Sequence, residues 1–169
     1  MSADPHFAAV RSDFIEKTGL ISQAEGLPRI AGRVFGMLIF DGDMVSFGDL
    51  ATRLQVSRAS ISTSIRILEE RGLVKRMTKP GERQDYFQLA PNPYATMLEG
   101  IRKRTRMTMD EIAATIDALP PDADAVDRLT AYANFYASTD AAVSHALDAL
   151  AARKPGQQPN APKDQTHDA

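Results

Sequence analysis

The sequence predicts a mainly α-helical chain carrying one small β-hairpin. Three observations predict this. Apolar residues recur every three or four positions through most of the 169 residues, and Ser, Gly and Pro punctuate these rows where helices would begin and end. Two short runs of strand character, Leu73–Met77 and Asp85–Leu89, flank the turn-forming stretch Lys79-Pro80-Gly81-Glu82-Arg83-Gln84. The composition, 43% hydrophobic and 25% charged, suits a chain that folds around an ordinary core.

The elements follow in order. Residues 1–6 should fray. Phe7, Val10, Phe14 and Ile15 sit at helical spacing, which predicts a helix over 7–18 with Gly19 as its stop. Gly26-Leu27-Pro28 opens a second helix, with Pro28 in its first turn, running to about Phe40. Ile30, Val34, Phe35, Leu38 and Ile39 make this helix apolar on most sides, so it should be largely buried. Gly32 and Gly36, one turn apart, predict close approach of a neighbouring helix. Asp41-Gly42-Asp43 reads as a turn. Ser46 caps a short helix over 47–54, with Asp49 three residues on. After Gln55-Val56, Ser57 caps the next helix, which runs to about Arg71 and stops at Gly72. The hairpin follows.

Asn92-Pro93 starts a long helix to about Leu119. Along it Tyr94, Leu98, Ile101, Thr105, Thr108, Ile112 and Ile116 form one row. Pro120-Pro121 ends it. A last helix over about 123–152 carries Val126, Leu129, Ala133, Tyr136, Val143, Leu147 and Leu150 on one side. From Pro155 the chain is rich in Gln, Pro, Asn and Asp, too polar to bury itself, and is expected to be disordered.

Composition excludes several function classes. There is no cysteine, hence no disulfide, thiol nucleophile or thiolate zinc site. The three histidines, His6, His145 and His167, lie far apart, and no His, Asp, Glu or Ser shows catalytic spacing. No glycine-rich phosphate loop occurs. The chain is therefore read as a non-enzyme, with no catalytic residues, no metal site and no cofactor. The longest apolar run, Val34–Phe40, is too short to span a membrane. No secretory signal is evident at the N-terminus, and a cytoplasmic location is the default.

The net charge of −2 hides an asymmetry. Residues 1–27 sum to −2, residues 28–106 to +6, and residues 107–169 to −6. A basic middle between acidic flanks fits a unit that binds a polyanion.

Within that middle, Leu50, Ala51 and Leu54 on one helix match Ile61, Ile65 and Leu68 on the next, with Val56 plugging the turn between them. The pattern is a helix-turn-helix followed by a wing. With Ile61 facing the core, Ala59, Thr63 and Arg66 fall within about 40° of the opposite side, because each residue turns a helix by about 100°. Ser62 and Arg58 flank that face, and Ser57 and Ser60 stand at its N-terminal end. A helix entering the major groove needs small residues for close approach, methyl groups for thymine, hydroxyls for base edges or phosphates, and an arginine to fork onto guanine. The helix N-terminus adds free N–H groups for phosphate. Serine and threonine are poor helix formers, so their concentration between Ser57 and Ser64 calls for a functional reason. At the hairpin tip, Lys79 and Arg83 flank a Pro-Gly turn, where an arginine can enter a neighbouring minor groove. Lys75 and Arg76 are further candidates for phosphate contact.

Ser46-Phe47-Gly48-Asp49-Leu50-Ala51, Val56-Ser57-Arg58-Ala59-Ser60-Ile61-Ser62 and Leu68-Glu69-Glu70-Arg71-Gly72-Leu73-Val74 together resemble the winged helix-turn-helix of the MarR superfamily. Gly26-Leu27-Pro28-Arg29-Ile30-Ala31-Gly32-Arg33 and the wing from Lys79 to Phe87 resemble its GbsR-like branch. The resemblance spans residues 7–152.

It implies a homodimeric transcriptional regulator, most simply a repressor, that binds double-stranded DNA at a pseudo-palindromic operator. An N-terminal dimerisation segment over 1–27, a DNA-binding domain over 28–91, C-terminal dimerisation helices over 92–153 and a tail over 154–169 are the expected divisions. Ser57, Arg58, Ala59, Ser60, Ser62, Thr63, Arg66, Lys79 and Arg83 are the expected DNA-binding residues. A small-molecule effector is also implied, without identifiable ligand-binding residues, and no membrane partner. One position departs from the usual pattern. Gly81 stands where most members carry an aspartate that braces the wing, so Glu82 or Asp85 would have to replace it. The main alternative is a winged-helix module that binds other proteins.

Overall fold

The computed structural model describes residues 4–152 in nine elements. They are α1 (Pro5–Ala24), α2 (Arg29–Asp41), β1 (Val45–Ser46), α3 (Phe47–Leu54), α4 (Arg58–Glu70), β2 (Val74–Thr78), β3 (Asp85–Leu89), α5 (Pro93–Asp117) and α6 (Ala125–Ala151). The mainly helical architecture expected from the sequence is present, with a small antiparallel sheet. The stretch over 154–169 expected to be disordered lies outside the described residues.

Helix α1 is longer than its apolar spacing suggests at both ends. Asp4 caps it, accepting from the His6 backbone N–H at 2.9 Å, and Pro5 occupies the first turn. Gly19, read as a stop, lies inside the helix. Its missing side chain serves packing instead: a Cβ there would stand 2.7 Å from Arg33 Cγ and 3.1 Å from the Arg29 carbonyl oxygen of α2. Gly32 and Gly36 complete the contact, since a Cβ at Gly32 would lie 2.5 Å from Ser22 Cβ and one at Gly36 2.8 Å from Thr18 Cβ. The close approach expected of these two glycines therefore exists, and its partner is α1.

The chain up to Pro93 forms one compact unit. Its core is built from Val34, Met37 and Leu38 of α2, Leu50 of α3, Ile61, Ile65 and Leu68 of α4, and Phe87 of β3, none more than 2% exposed. Helix α2 packs on both α1 and α4. Ion pairs pin the surface: Arg11 donates two bonds of 2.6 Å to Asp41 at the end of α2, and Arg33 lies 2.6 Å from Glu16. An open cavity of about 400 Å³ is lined by Phe7, Arg11, Phe40, Asp41, Asp43 and Arg53.

The sheet contains one strand more than the hairpin. Val45 and Ser46 pair with Phe87 and Tyr86, so the order is β1-β3-β2 with β3 in the middle. Two residues are too few to show an alternating pattern, and β1 exists because the edge of β3 is there to receive it. Register in the hairpin runs from Val74 opposite Leu89 to Thr78 opposite Asp85.

The second unit, from Tyr94, holds α5 and α6. Arg106 on α5 bonds to both oxygens of Asp140 on α6, at 2.9 and 3.2 Å. Thr105 and Ile112 are buried, as is Val143. Tyr94 and Ile101, expected in the same row of α5, stay more than a third exposed. A periodic row marks a face, but burial also needs a partner to cover it. Among the described residues, no helix is long and apolar enough to cross a membrane.

Candidate nucleic-acid interface

Two caps set the geometry of the helix-turn-helix. At α3, Ser46 Oγ accepts from the Asp49 backbone N–H at 3.1 Å and donates to Asp49 Oδ2 at 2.8 Å. At α4, Ser57 Oγ accepts from the Ser60 backbone N–H at 3.1 Å, and the two serine hydroxyls share a bond of 2.8 Å. Gln55 ends α3 in the left-handed region, at φ 54°, which turns the chain sharply between the helices.

With Ile61, Ile65 and Leu68 inward, the opposite face of α4 is open. Ser57, Arg58, Ala59, Ser62, Thr63 and Arg66 are exposed, and Ser60 is half-buried. The hydroxyls of Ser57 and Ser60 are engaged with each other in the cap. Ser64, grouped by sequence with the other hydroxylic residues, is only 2% exposed and belongs to the core side. Its small volume suits the close packing of α2 against α4.

The cations divide into two sets. Arg66 and Arg83 are exposed and have no hydrogen bond or ion pair among the described residues. Arg76, in contrast, is fully engaged. It donates to both carboxylate oxygens of Glu69 at 3.1 and 3.0 Å and to Asp85 at 2.9 Å, and its guanidinium stands 5.4 Å from the Phe87 ring centre. The Glu69 hydrogen bonds hold its pKa above the ordinary arginine value, ahead of the opposing effect of burial. Arg76 was expected to meet phosphate. It ties the root of the wing to the last turn of α4 instead, because two carboxylates reach it first.

The wing is braced with a glycine, not an aspartate, standing at position 81. Gly81 takes φ 81°, a backbone conformation in which any other residue is strained, at the turn of the hairpin. Beside it the Tyr86 hydroxyl donates to Glu82, Gln84 Nε2 donates to the Tyr86 oxygen at 2.8 Å, and Lys79 Nζ sits 4.2 Å from the Tyr86 ring centre. The Tyr86 bond pulls the Glu82 carboxyl below its ordinary pKa, with Gln84 adding to the effect. The same bond raises the phenol of Tyr86. Sequence reasoning named Glu82 as a candidate brace but missed Tyr86 and Gln84, whose roles depend on side chains meeting across a turn.

Phe47 was missed as well. It opens α3, and its ring lies 4.8 Å from the Arg58 guanidinium carbon. An aromatic side chain in the first turn of a surface helix, where acidic residues are favoured, is the one signal that could have marked it. Among the described residues, no group of three or more His, Cys, Asp or Glu is placed to hold a metal ion.

Comparison with known proteins agrees with this architecture. Residues 25–84 match the model of the MarR family. The chain is 36% identical over 107 residues to the HTH-type transcriptional regulator MmpR5 of Mycobacterium tuberculosis (strain ATCC 25618 / H37Rv), a match covering 63% of this chain and 61% of that protein. The chain thus spans less than two thirds of that curated relative. The crystal structure of a transcriptional regulator is 31% identical, superimposes with a TM-score of 0.69, and is covered over 99% of its length by 85% of this chain. The open face of α4, the braced wing and these matches make the chain similar to transcriptional regulators, with its likeness to the MarR family carried by residues 25–84.

Proposed function

We propose that this protein is a homodimeric repressor that reads a pseudo-palindromic operator in double-stranded DNA. The observation that carries this reading is the exposed face of α4, where Ala59, Ser62, Thr63 and Arg66 stand together without a bulky apolar side chain. Such a face approaches base edges closely, and an arginine without an intramolecular partner has its donors ready for guanine. Arg83 at the wing tip is likewise uncommitted and suits a narrow minor groove. Arg58 and Lys79, together with the one hydroxyl of the Ser57–Ser60 pair whose proton is not used in the cap, supply phosphate contacts. A two-fold dimer sets two copies of α4 about one turn of DNA apart, so occupancy of a promoter would block it.

Dimerisation is supported by large apolar side chains left in solvent. Phe7, Val10, Leu20 and Ile21 of α1 are each at least 46% exposed, as are Tyr132 and Phe135 of α6. A monomer in water has no use for so many. The divisions 1–27, 28–91 and 92–153 then act as dimerising, reading and dimerising segments. The segments around Gly26–Arg33 and the wing support placement in the GbsR-like branch. A small-molecule effector would modulate binding by changing the separation of the two reading helices, and the cavity beside Phe40 and Arg53 has the size to receive one. A DNA reader of this kind works in the cytoplasm.

The test is selection of bound duplexes from a random pool, followed by titration of the winner against salt. We expect enrichment of an inverted repeat and a steep fall of affinity with salt. Failure to retain any duplex at moderate salt would favour the protein-binding module instead.

A further inference from the structure

We infer that Phe47 is a positioning residue that holds the Arg58 guanidinium ready for a nucleic-acid oxygen or base edge, an inference that rests on the DNA-reading function proposed above. Arg58 is the first residue of α4, and its side chain reaches back to the first residue of α3. There the guanidinium carbon lies 4.8 Å from the centre of the Phe47 ring. Gly48 leaves the neighbouring backbone open: a Cβ at that position would be 3.9 Å from Arg58 Nη1.

The chemistry of the contact matters more than its strength. A guanidinium held against a ring by its charge is not consumed as a donor, so its N–H groups stay available for a partner. None of those donors is bound elsewhere among the described residues. A long side chain with several rotatable bonds is thereby held at one place before any partner arrives, with its fork still open. Holding it in advance lowers the ordering cost of binding.

Phe47 is itself fixed. Its ring lies 6.3 Å, centre to centre, from that of Phe87, which is 1% exposed. Phe87 in turn has the Arg76 guanidinium 5.4 Å from its ring centre, and Arg76 is bonded to Glu69 and Asp85. Two stacked contacts of cation on ring, Arg58 on Phe47 and Arg76 on Phe87, are joined ring to ring, and Glu69 and Asp85 anchor the far end. Arg58 therefore rests on the sheet that carries the wing, so the two ends of the reading surface share one support.

The experiment is a double-mutant cycle on the duplex recovered by selection, using Phe47→Leu, Arg58→Ala and both together. Phe47→Leu should weaken binding about twofold to fivefold, the range that a lost exposed cation–ring contact corresponds to. In the Arg58→Ala background it should have no further effect, and Phe47→Tyr should bind as the parent does. Loss factors that simply multiply in the double variant would overturn the inference while leaving DNA reading intact. If the parent selects no duplex at all, the proposed function fails and this inference with it. A measurement on the parent alone covers the case in which Phe47→Leu does not fold. The Arg58 side-chain methylene protons should show upfield ring-current shifts by NMR, and values typical of a solvated arginine would overturn the inference.

Discussion

Arg76 and Glu69 form a two-point ion pair, 3.1 and 3.0 Å, that fastens the first strand of the wing to the last turn of α4. Seven residues separate them in sequence, with Gly72 turning the chain between. The pair fixes the angle between the helix and hairpin that would meet DNA together. Arg76 is half-exposed, so the pair's contribution to stability should stay below about 1 kcal/mol. Glu69→Gln should therefore lower the melting temperature by a few degrees at most, yet loosen the wing. Hydrogen exchange of the β2 and β3 amides should quicken in this variant. Unchanged exchange would mean that the sheet alone sets the wing angle.

The wing brace should depend on pH in a definite direction. Glu82 is depressed below its ordinary carboxyl value by the Tyr86 hydroxyl, so its contribution is present above the unfolded carboxyl pKa and is lost as pH falls through the lower folded value. Tyr86 is raised, so its contribution is complete below the unfolded phenol pKa and is lost as pH climbs through the higher folded one. The Tyr86 ring signals should thus report an intact brace across the neutral range and its loss at both extremes. Glu82→Gln should abolish the acid transition in an NMR titration, and Tyr86→Phe should abolish both.

Arg66 and Arg83 should separate in their effects on DNA. Arg66→Ala should cost about 1–3 kcal/mol on the selected duplex and little on random DNA, since a forked base contact carries discrimination. Arg83→Ala should weaken binding to duplexes with AT-rich flanks and leave discrimination at the central positions intact. A gel-shift titration of both variants against paired duplexes distinguishes these outcomes, and parental binding by both would remove these residues from the interface.

Two glycines should respond to alanine with opposite sign. At Gly32 the added methyl would stand 2.5 Å from Ser22 Cβ and 2.9 Å from Gly19 Cα, so α1 must move away from α2. Overpacking of this kind costs about 1–3 kcal/mol. At Gly100, inside α5, the only close atom is Arg104 Nη1 at 3.5 Å, the far end of a flexible side chain. Gly100→Ala should stabilise by up to about 1 kcal/mol through helix propensity. Thermal unfolding of the two variants beside the parent measures both signs.

The sequence by itself determined the local elements and the side each presents. Caps at Ser46 and Ser57 are one-residue decisions, made by a hydroxyl within reach of a backbone N–H three residues ahead. The inward row of Ile61, Ile65 and Leu68 follows from helical periodicity alone, and with it the outward direction of Ala59, Thr63 and Arg66. Only the tertiary structure decided what depends on distant residues meeting. Gly19 looked like a helix stop until α2 supplied the surface that needs a glycine there. β1 has no signal of its own and exists through β3. Arg76, Arg66 and Arg83 are the same residue type in one basic stretch. Two carboxylates brought together by the fold engage the first and leave the other two open, because electrostatic pairing is set by separation in space rather than along the chain.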